Sequence, residues 1–317
     1  MKRREFLTLA GGAIAFSPLA AFAQQKVSRL GVLLVAGPQV MGPYREALRD
    51  LGYIEGKTIR IEVRSAQGQT SRLAALAEEL VRSKVDVIAA ALTPAVQAAR
   101  HATSDIPIVM EPAGDPVGTG LISSLARPGG NITGLSGTAA EASAKNLELL
   151  RELVPGARRV GVVLNANDPF SKPFLDEIQI GAKATGFEVH QIPVYSTYEL
   201  DGAYAGMASA AVDAVIMQGS LLIAPQVSLA LKHRLPTLTN QTNVARAGAL
   251  MSYGASVQER GREIAKYVDR ILKGAKPAEL PVQQPTTYEM AINLKTAKAL
   301  GLTISPSLLA RANEVIE

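Results

Sequence analysis

The chain of 317 residues contains no cysteine and no tryptophan. Without cysteine it can form no disulfide, no thiolate metal site and no cysteine nucleophile, so its stability must come from a packed core. A lipid-anchored exported protein would also need a cysteine after its leader. Beyond the N-terminal leader, no apolar run approaches the roughly 18 residues that a transmembrane helix needs. We therefore expect a soluble chain with neither a lipid anchor nor a stable insertion in the membrane.

Common catalytic signatures are missing as well. The sequence has no G-x-S-x-G, H-E-x-x-H or G-x-x-x-x-G-K-[ST] motif, and Gly118-Thr119-Gly120 lacks the third glycine of a dinucleotide-binding fingerprint. The histidines His101, His190 and His233 do not have the spacing of metal ligands. We expect a protein that is not an enzyme and that has no cofactor and no metal site.

The first 23 residues have the pattern of an export signal. The positive residues Lys2 to Arg4 precede an apolar stretch, residues 6–20, and Ala21-Phe22-Ala23 matches an A-x-A cleavage site. Arg3-Arg4-Glu5-Phe6-Leu7 also resembles the twin-arginine motif, which favours that export route over the general secretory route. We expect the mature protein to be exported and periplasmic.

Three phrases occur twice in the chain, in the same order. They are RLGVLLV (29–35) and RVGVVLN (159–165), VDVI (85–88) and VDAVI (212–216), and IP (106–107) and LP (235–236). The two copies lie about 130 residues apart, so one unit has been used twice. In both copies short apolar runs alternate with amphipathic helical patterns, which is typical of parallel sheets covered by helices. The sequence predicts an α/β protein with two similar doubly wound parallel-sheet lobes.

Three irregular segments rich in glycine or proline interrupt this alternation: residues 115–137, 247–256 and 276–285. They predict three crossovers between the lobes. The predicted first lobe comprises residues 27–118 and 252–285, and the predicted second lobe comprises residues 119–251 and 286–317. Because several crossings between two lobes form a hinge, we expect the lobes to close around a ligand.

The charge of the chain argues against a nucleic-acid partner. Its formal net charge is +5, part of which belongs to the leader. A charge this small and evenly scattered indicates an ordinary solvated surface. A two-lobed repressor would carry a helix-turn-helix headpiece at its N-terminus, where this chain has an export signal.

Open α/β sheets bind ligands at the carboxyl ends of their strands. The candidate ligand-binding residues follow predicted strands; they are Val35, Thr93, Pro94, Ala95, Glu111 and Asp115 in the first copy, and Asn165, Asn167, Ser220, Asn240 and Thr242 in the second. Alignment of the copies pairs Val35 with Asn165 and Glu111 with Asn240, so the copies differ at the strand ends. The second lobe is the more polar of the two.

Each candidate also has an ordinary structural interpretation. Thr93-Pro94-Ala95 opens a helix, whose free N–H groups bind a carboxylate, but the same residues also suit a simple helix cap. Glu111 and Asp115 could accept hydrogen bonds from an ammonium group, although Asp115 before Pro116 also suits a turn. Tyr253, in the second irregular segment, could stack on a ligand or pack within a hinge.

Longer phrases of the sequence resemble a known family. They are DPVGTGLISSLARPGGNITGLSG (115–137), LELLRELVPGARRVGVVLN (147–165), KHRLPTL (232–238), GALMSYG (248–254) and YVDRILKGAKPAELPVQQPTTYEMAINLKTAKALGLTISPSLLARANEVI (267–316). Together they resemble the ABC transporter substrate-binding family associated with tryptophan and tyrosine uptake, over almost the whole mature chain. The resemblance implies a type I periplasmic binding fold and delivery of a solute to an inner-membrane ABC permease.

Few aromatic residues lie near the proposed cleft: Tyr44, Phe170 and Tyr253. We therefore expect a small-molecule ligand that is an amino acid or a small carboxylate, bound by a monomer through closure of the lobes. The same fold could instead present its ligand to a membrane sensor. An exported enzyme on this scaffold, with Glu111 and Asp115 in the reaction, is a further alternative.

Overall fold

The structure of the protein is a computed structural model, and it describes residues 27–221 and 224–317. The predicted export signal lies outside these residues. The described chain forms two α/β lobes, each built around its own sheet, as the repeat predicts. Within the described ranges no helix is both long enough and apolar enough to cross a membrane.

Strands and helices alternate through most of the chain. The strands are β1 (Ser28–Leu34), β2 (Ile59–Ser65), β3 (Val87–Ala90), β4 (Ile108–Gly114), β5 (Ile132–Gly137), β6 (Arg159–Asn165), β7 (Glu188–Val194), β8 (Ala214–Met217), β9 (Thr237–Thr239), β10 (Met251–Ala255), β11 (Tyr288–Asn293) and β12 (Glu314–Ile316). The helices are α1 (Gly42–Asp50), α2 (Leu73–Arg82), α3 (Thr93–Ala102), α4 (Ala139–Leu153), α5 (Ser171–Thr185), α6 (Leu200–Ser209), α7 (Ala224–Lys232), α8 (Thr242–Arg246), α9 (Val257–Leu272), α10 (Leu294–Ala299) and α11 (Pro306–Leu309).

The internal repeat is visible in the order of the strands. The first sheet has the order β2-β1-β3-β4-β5, and all its strands are parallel. The second sheet has the order β12-β11-β10-β9-β8-β6-β7, in which β7-β6-β8-β9-β10 repeats the first sheet. Two further strands extend it: β11 is antiparallel to β10, and β12 is parallel to β11. The second sheet is therefore mostly, but not wholly, parallel.

Helices cover both faces of each sheet, which explains the apolar runs of the strands. In β1, Leu30 and Leu34 face a core that includes residues of α1 and α9, while Leu33 faces a core that includes residues of α2 and α3. Successive side chains of a strand point to opposite faces, so a strand covered on both faces must be apolar at every position. The strands β3 and β8 are wholly buried for the same reason.

The helix α9 follows β10 of the second sheet in the chain but packs on the first sheet. Its N-cap residue Ser256 accepts a hydrogen bond from the backbone N–H of Glu259. Buried residues on one face of the helix, such as Ile264 and Val268, join the core that contains α1. Gly261 lies so close to α1 that an added Cβ would be 3.3 Å from the backbone of Pro43. This packing holds α9 against the first lobe, which places its N-terminal turn at the cleft.

The first two crossings lie later in the chain than the sequence predicts. Because β5 pairs with β4 along its length, residues 119–137 belong to the first lobe, although the second lobe was predicted to begin at residue 119. Similarly, β10 pairs with β9 and β11, so residues 252–255 belong to the second lobe. Glycine and proline indicate that the chain turns, but they do not specify which sheet the next strand joins.

We therefore define the first lobe as residues 27–137 and 256–285, and the second lobe as residues 138–255 and 286–317. The third crossing lies between Gln283, which bridges Leu135 of the first sheet, and Tyr288, the first residue of β11. The glycine-rich residues after Asp115 remain on the first lobe, where they connect β4 to its parallel neighbour β5.

The close approach of β5 to β4 can be tested at Gly134. This residue has a φ of +123°, and an added Cβ would lie 2.6 Å from the backbone nitrogen and oxygen of Met110. We expect Gly134→Ala to lower the free energy of unfolding by about 1–3 kcal/mol, because it strains the backbone and separates the two strands. Urea denaturation would measure the change. The control is Gly130→Ala, since Gly130 is exposed and none of the described atoms lies within 4 Å of a Cβ there. Equal stability of the two variants would contradict this packing.

Candidate functional site

Three cavities lie between the carboxyl ends of the two sheets. The central cavity, of about 60 Å³, lies between Thr93 and Arg260 of the first lobe and Asp168, Ser220 and Asn240 of the second. The side cavity, of about 170 Å³, is lined by Tyr44 and Glu111 of the first lobe and Asn243 and Arg246 of the second. The outer cleft, of about 530 Å³, is lined by Pro94 and His101 of the first lobe and Asn167 and Tyr198 of the second.

Most of the predicted ligand-binding residues line one of these cavities. Thr93, Ser220 and Asn240 line the central cavity, Val35 and Glu111 line the side cavity, and Pro94 and Asn167 line the outer cleft. The prediction that the strand ends of both lobes face one cleft therefore agrees with the geometry, but the predicted residues are spread over three spaces.

The other five predicted residues line none of the three cavities. Ala95 is buried in the core of the first lobe, and Thr242 is buried in α8. Asn165 lies beneath the cavity wall, where it hydrogen-bonds to other polar residues. Asp115 is exposed and forms a turn, in which its Oδ1 accepts a hydrogen bond from the N–H of Gly118 at 2.9 Å. Tyr253 packs in the hinge.

The hinge joins all three crossings by side-chain contacts. The ring of Tyr253 stacks on that of Tyr288, with centroids 5.6 Å apart. The hydroxyl of Tyr288 donates a hydrogen bond to Thr138 at the first crossing, at 2.7 Å. Near the second and third crossings, Glu259 accepts hydrogen bonds from the side chain of Thr286 and the backbone of Thr287. These contacts make the three crossings one connected unit.

Asp168 places a buried carboxylate in the wall of the central cavity. Its Oδ2 accepts hydrogen bonds from Gln218 Nε2 and Ser220 Oγ, both at 2.8 Å, and its Oδ1 accepts one from the backbone N–H of Phe170 at 3.0 Å. Burial raises the pKa of Asp168 to about 6, and the hydrogen bonds partly oppose this increase. Among the described residues these hydrogen bonds, and no ion pair, compensate its charge. A cation in the cavity would therefore be stabilised next to it.

Gln218 has only one orientation that satisfies its neighbours. Its Oε1 accepts hydrogen bonds from the backbone N–H of Asn165 at 2.9 Å and from Ser171 Oγ at 2.7 Å. Its amide nitrogen must then point toward Asp168. A fixed polar network at the ends of β6 and β8 therefore holds the carboxylate of Asp168 in position, without help from a mobile side chain.

The opposite electrostatic character comes from Arg260 and the N-terminus of α4. Arg260, in the first turn of α9, lines both the central and the side cavity, and its buried Nε has no hydrogen-bond partner among the described residues. Ala139, the first residue of α4, lines the central cavity, and the first N–H groups of a helix lack intrahelical acceptors and carry partial positive charge, so this part of the cavity favours an anion. The start of α3 contributes less, because Pro94 has no N–H and the N–H groups of Ala95 and Val96 donate to the carbonyl oxygen of Leu92 at 3.1 Å.

The wall of the central cavity also contains an unpaired buried acceptor and a strained residue. The Oδ1 of Asn240 is closed to solvent and accepts no hydrogen bond from any described residue. Leu92, which connects β3 to α3, has a φ of +71° and a ψ of 155°, a backbone conformation that is costly for a residue with a side chain. The hydroxyl of Thr93, by contrast, is engaged within its own lobe, where it accepts a hydrogen bond from the N–H of Gly114 at 3.0 Å.

The lobes touch across the cleft at several points. Phe170 of the second lobe packs on Gly114 of the first, where an added Cβ would be 2.5 Å from the Phe170 ring. Toward the outer cleft, Gln69 Nε2 of the first lobe donates a hydrogen bond to the hydroxyl of Tyr198 of the second, at 3.4 Å. The central cavity is small because these contacts hold the two walls together.

The rule that ligands bind at strand ends places residues 165–168 and 218–220 at the cleft, but Asp168 and Gln218 were not selected among the ligand-binding residues, and Arg260 was not predicted at all. No local signal identifies Arg260, because it lies on a helix that follows β10 of the second lobe in the chain. Only the packing of α9 on the first lobe brings it to the cavity.

A two-lobed α/β protein with a polar cavity between its strand ends has the architecture of a solute-binding protein. A family model described as ABC transporter substrate binding protein matches residues 38–316. A tyrosine-binding protein from Clostridioides difficile (strain R20291) is 32% identical over 260 residues, which cover 81% of this chain and 75% of that protein. The chain belongs to the ABC transporter substrate-binding protein family.

Solved structures of similar proteins agree with this family assignment. The ABC domain from Streptococcus pneumoniae in complex with L-Trp has a TM-score of 0.83 and 29% identity, over 91% of this chain and 99% of that chain. A ligand-free, open substrate-binding protein with adhesive properties from Clostridium difficile has a TM-score of 0.62 and 26% identity, over 92% of this chain and 99% of that chain. At comparable identity, this chain is closer in shape to the structure that contains a ligand.

The buried carboxylate should make stability depend on pH. Burial raises the pKa of Asp168 from 3.8 to about 6, so between these values the folded chain binds a proton more tightly than the unfolded chain. The stability that this group contributes is therefore fully present below about pH 4 and is lost as the pH rises through about 6. We expect the ligand-free protein to lose about 2–3 kcal/mol more than Asp168→Asn over this interval.

Urea denaturation from pH 4 to pH 7 would measure both profiles. Burial also raises the pKa of Glu111, to about 7, but this group is present in both proteins and cancels in the difference. Parallel profiles for the wild type and the variant would contradict the assignment.

Proposed function

We propose that this protein is the periplasmic substrate-binding component of an ABC importer, and that it closes around an α-amino acid in the central cavity. One observation carries the choice of ligand: the same small cavity is lined by a buried carboxylate without a cation and by groups that favour an anion. An α-amino acid at neutral pH carries an ammonium group and a carboxylate group bonded to the same carbon, so it complements both parts of the wall.

The ammonium group of the ligand binds at Asp168. Two of the acceptor positions on Oδ2 are used by Gln218 and Ser220, while Oδ1 accepts one hydrogen bond from the described residues, the N–H of Phe170, so an acceptor position is left for the ligand. Hydrogen bonds between charged groups contribute about 1.5–3 kcal/mol each, which is enough to select for an ammonium group.

The carboxylate of the ligand binds at the N-terminus of α4 and near Arg260. The helix α4 belongs to the second lobe and Arg260 to the first, so a carboxylate held by both would draw the lobes together. Arg260 is the guanidinium that lines the central cavity, and this group suits a carboxylate in geometry as well as in charge.

The relatives support an amino acid with an aromatic side chain. One relative is a tyrosine-binding protein and another was solved with L-Trp. In this chain Phe170 lines the central cavity and offers an aromatic face, and Leu92 lines both the central and the side cavity. These residues can cover an apolar ring next to the polar groups that hold the ligand backbone.

Closure follows from the way the lobes are connected. The hinge tyrosines and Thr138 link the crossings, while Gly114 and Phe170 meet only if the lobes are close together. The higher TM-score against the tryptophan complex than against the open, ligand-free relative supports a closed arrangement in this structure. A ligand that contacts both walls favours the closed form, which the permease would then recognise.

Isothermal titration calorimetry with L-tyrosine, tyramine and 3-(4-hydroxyphenyl)propionate tests the assignment of charges. Tyramine lacks the carboxylate, and the propionate lacks the ammonium group. We expect both analogues to bind more weakly than the amino acid. We expect Asp168→Asn to weaken amino-acid binding about 10- to 100-fold but to change propionate binding little, because its contact is with the ammonium group. An equal loss for both ligands would contradict this orientation.

Closure can be tested separately at Gly114. A side chain there meets the Phe170 ring only when the lobes are together, so Gly114→Val should weaken binding at least about 10-fold while leaving the ligand-free stability within about 1 kcal/mol. Small-angle X-ray scattering should show a decrease in radius of gyration on ligand addition for the wild type and a smaller decrease for the variant. Gly130→Val is the control, since Gly130 is exposed on the same lobe. Full closure of Gly114→Val would exclude this contact from the mechanism.

A further inference from the structure

The first turn of α9 has the sequence of a capping box, since residues 256–259 read Ser-Val-Gln-Glu. In this motif the N-cap hydroxyl accepts a hydrogen bond from the N–H three residues later, and the side chain at that later position accepts one from the N-cap N–H. Only the first of these bonds is made here. The N–H of Glu259 donates to Ser256 Oγ at 3.4 Å, whereas the N–H of Ser256 donates to the carbonyl oxygen of Thr287 at 3.0 Å.

The carboxylate of Glu259 is directed at the third crossing instead. Its Oε1 accepts a hydrogen bond from Thr286 Oγ1 at 2.9 Å, and its Oε2 accepts one from the backbone N–H of Thr287 at 3.0 Å. Both backbone groups of Thr287 are therefore bound at the start of α9, the N–H by Glu259 and the carbonyl by Ser256. We call these three hydrogen bonds the Glu259 clamp.

The clamp lies where the second and third crossings run side by side. Ala255 of β10 pairs with Tyr288 of β11, and the bond between Ser256 and Thr287 continues this antiparallel pairing by one residue. Glu259 belongs to a helix that packs on the first lobe, whereas Thr287 directly precedes a strand of the second sheet. Rotation of one lobe relative to the other therefore changes the distance between the carboxylate and its partners.

The capping-box sequence gives Glu259 a second arrangement. If the carboxylate turns back to the N–H of Ser256, the capping box is complete and the helix terminus keeps its hydrogen bonds. Thr286 and Thr287 are exposed, so water can replace Glu259 on the third crossing. Because the two arrangements exchange similar hydrogen bonds and leave no buried backbone group unpaired, neither is strongly excluded.

We propose that this capping box is the switch of the hinge: Glu259 binds Thr286 and Thr287 when the lobes are closed, and it returns to the N–H of Ser256 when they open. This inference rests on the proposed function, which supplies the ligand that closes the lobes. The clamp is formed in this structure, in which Gly114 lies against Phe170 across the cleft. Glu259 and Thr286 do not line the central cavity, so they act as positioning residues for closure and not as ligand contacts.

Residue-resolved amide hydrogen exchange, with small-angle X-ray scattering on the same samples, tests the change of partners. The N–H of Thr287 is bonded to the protein only in the closed arrangement, whereas the N–H of Ser256 is bonded in both. We expect saturating L-tyrosine to slow exchange at Thr287 at least about 10-fold and to change exchange at Ser256 less than about 3-fold. Gly114→Val, which holds the lobes apart, should leave the Thr287 amide unprotected without ligand.

Two variants weaken the clamp but keep the capping box. Glu259→Gln retains an acceptor for the N–H of Ser256, because capping boxes use Glu and Gln alike, but its single oxygen cannot serve both Thr286 and Thr287. Thr286→Val removes the other side of one contact. We expect each variant to weaken L-tyrosine binding about 3- to 10-fold, and the double variant to show a loss that is less than additive. Melting temperatures without ligand should stay within about 1 °C of the wild type.

Ser256→Ala is the control for a purely structural effect. The hydroxyl of Ser256 caps α9 in both arrangements, so its loss should lower the melting temperature by about 2 °C and leave the affinity for L-tyrosine within about 2-fold. An equal loss of affinity in Ser256→Ala and Thr286→Val would refute the switch, because helix capping and not the change of partners would then set the affinity.

The outcomes separate the switch from the proposed function. If L-tyrosine binds but Thr287 is protected equally with and without it, or the radius of gyration does not change, the binding function stands and the switch is refuted. If no amino acid binds, the proposed function is wrong, and ligand-free Gly114→Val decides the switch. A larger radius than that of the wild type with faster exchange at Thr287 would then support the switch, and an unchanged radius or unchanged exchange would refute it.

Discussion

Three crossings of the chain hold the carboxyl ends of two sheets against each other, and the other features of the cleft depend on this constraint. The hinge contacts among Thr138, Tyr253 and Tyr288 connect the crossings into one unit. Strand ends carry the polar side chains, and helix N-termini begin beside them. When two such edges face each other, they form a cleft whose walls carry charges of opposite sign.

The cleft contains polar groups that the folded chain leaves incompletely paired. Among the described residues, Asp168 is buried without an ion-pair partner, and buried polar atoms of Asn240, Tyr44, Glu111 and Arg260 near the cleft have no hydrogen-bond partner. Each of these costs stability when the cavity is empty. Under the proposed function, a ligand ammonium group that pairs with Asp168 offsets part of this cost, most fully in a closed form in which both walls reach the ligand.

Much of the architecture could be predicted from the sequence. The repeated phrases correspond to β1 and β6, to the region of β3 and β8, and to the residues just before β4 and β9. They are similar because strands covered on both faces need apolar residues at every position. The glycine- and proline-rich residues after Asp115 were predicted to cross to the second lobe, yet they return the chain to β5 of the first sheet. A turn signal is local, whereas the choice of a strand partner depends on residues far along the chain.

The candidate site also divides into features that short segments determine and features that distant contacts determine. The sequence by itself determined the class of fold, the edge at which the cavities between the lobes lie and several residues of that edge, such as Ser220 and Asn240, because strand periodicity and strand ends are properties of short segments. Only the tertiary structure decided that Arg260 lines a cavity together with Glu111 and Tyr44. That meeting requires α9 to leave the second sheet, cross the hinge and pack on α1, and the free energy of such packing comes from contacts between residues more than 200 positions apart.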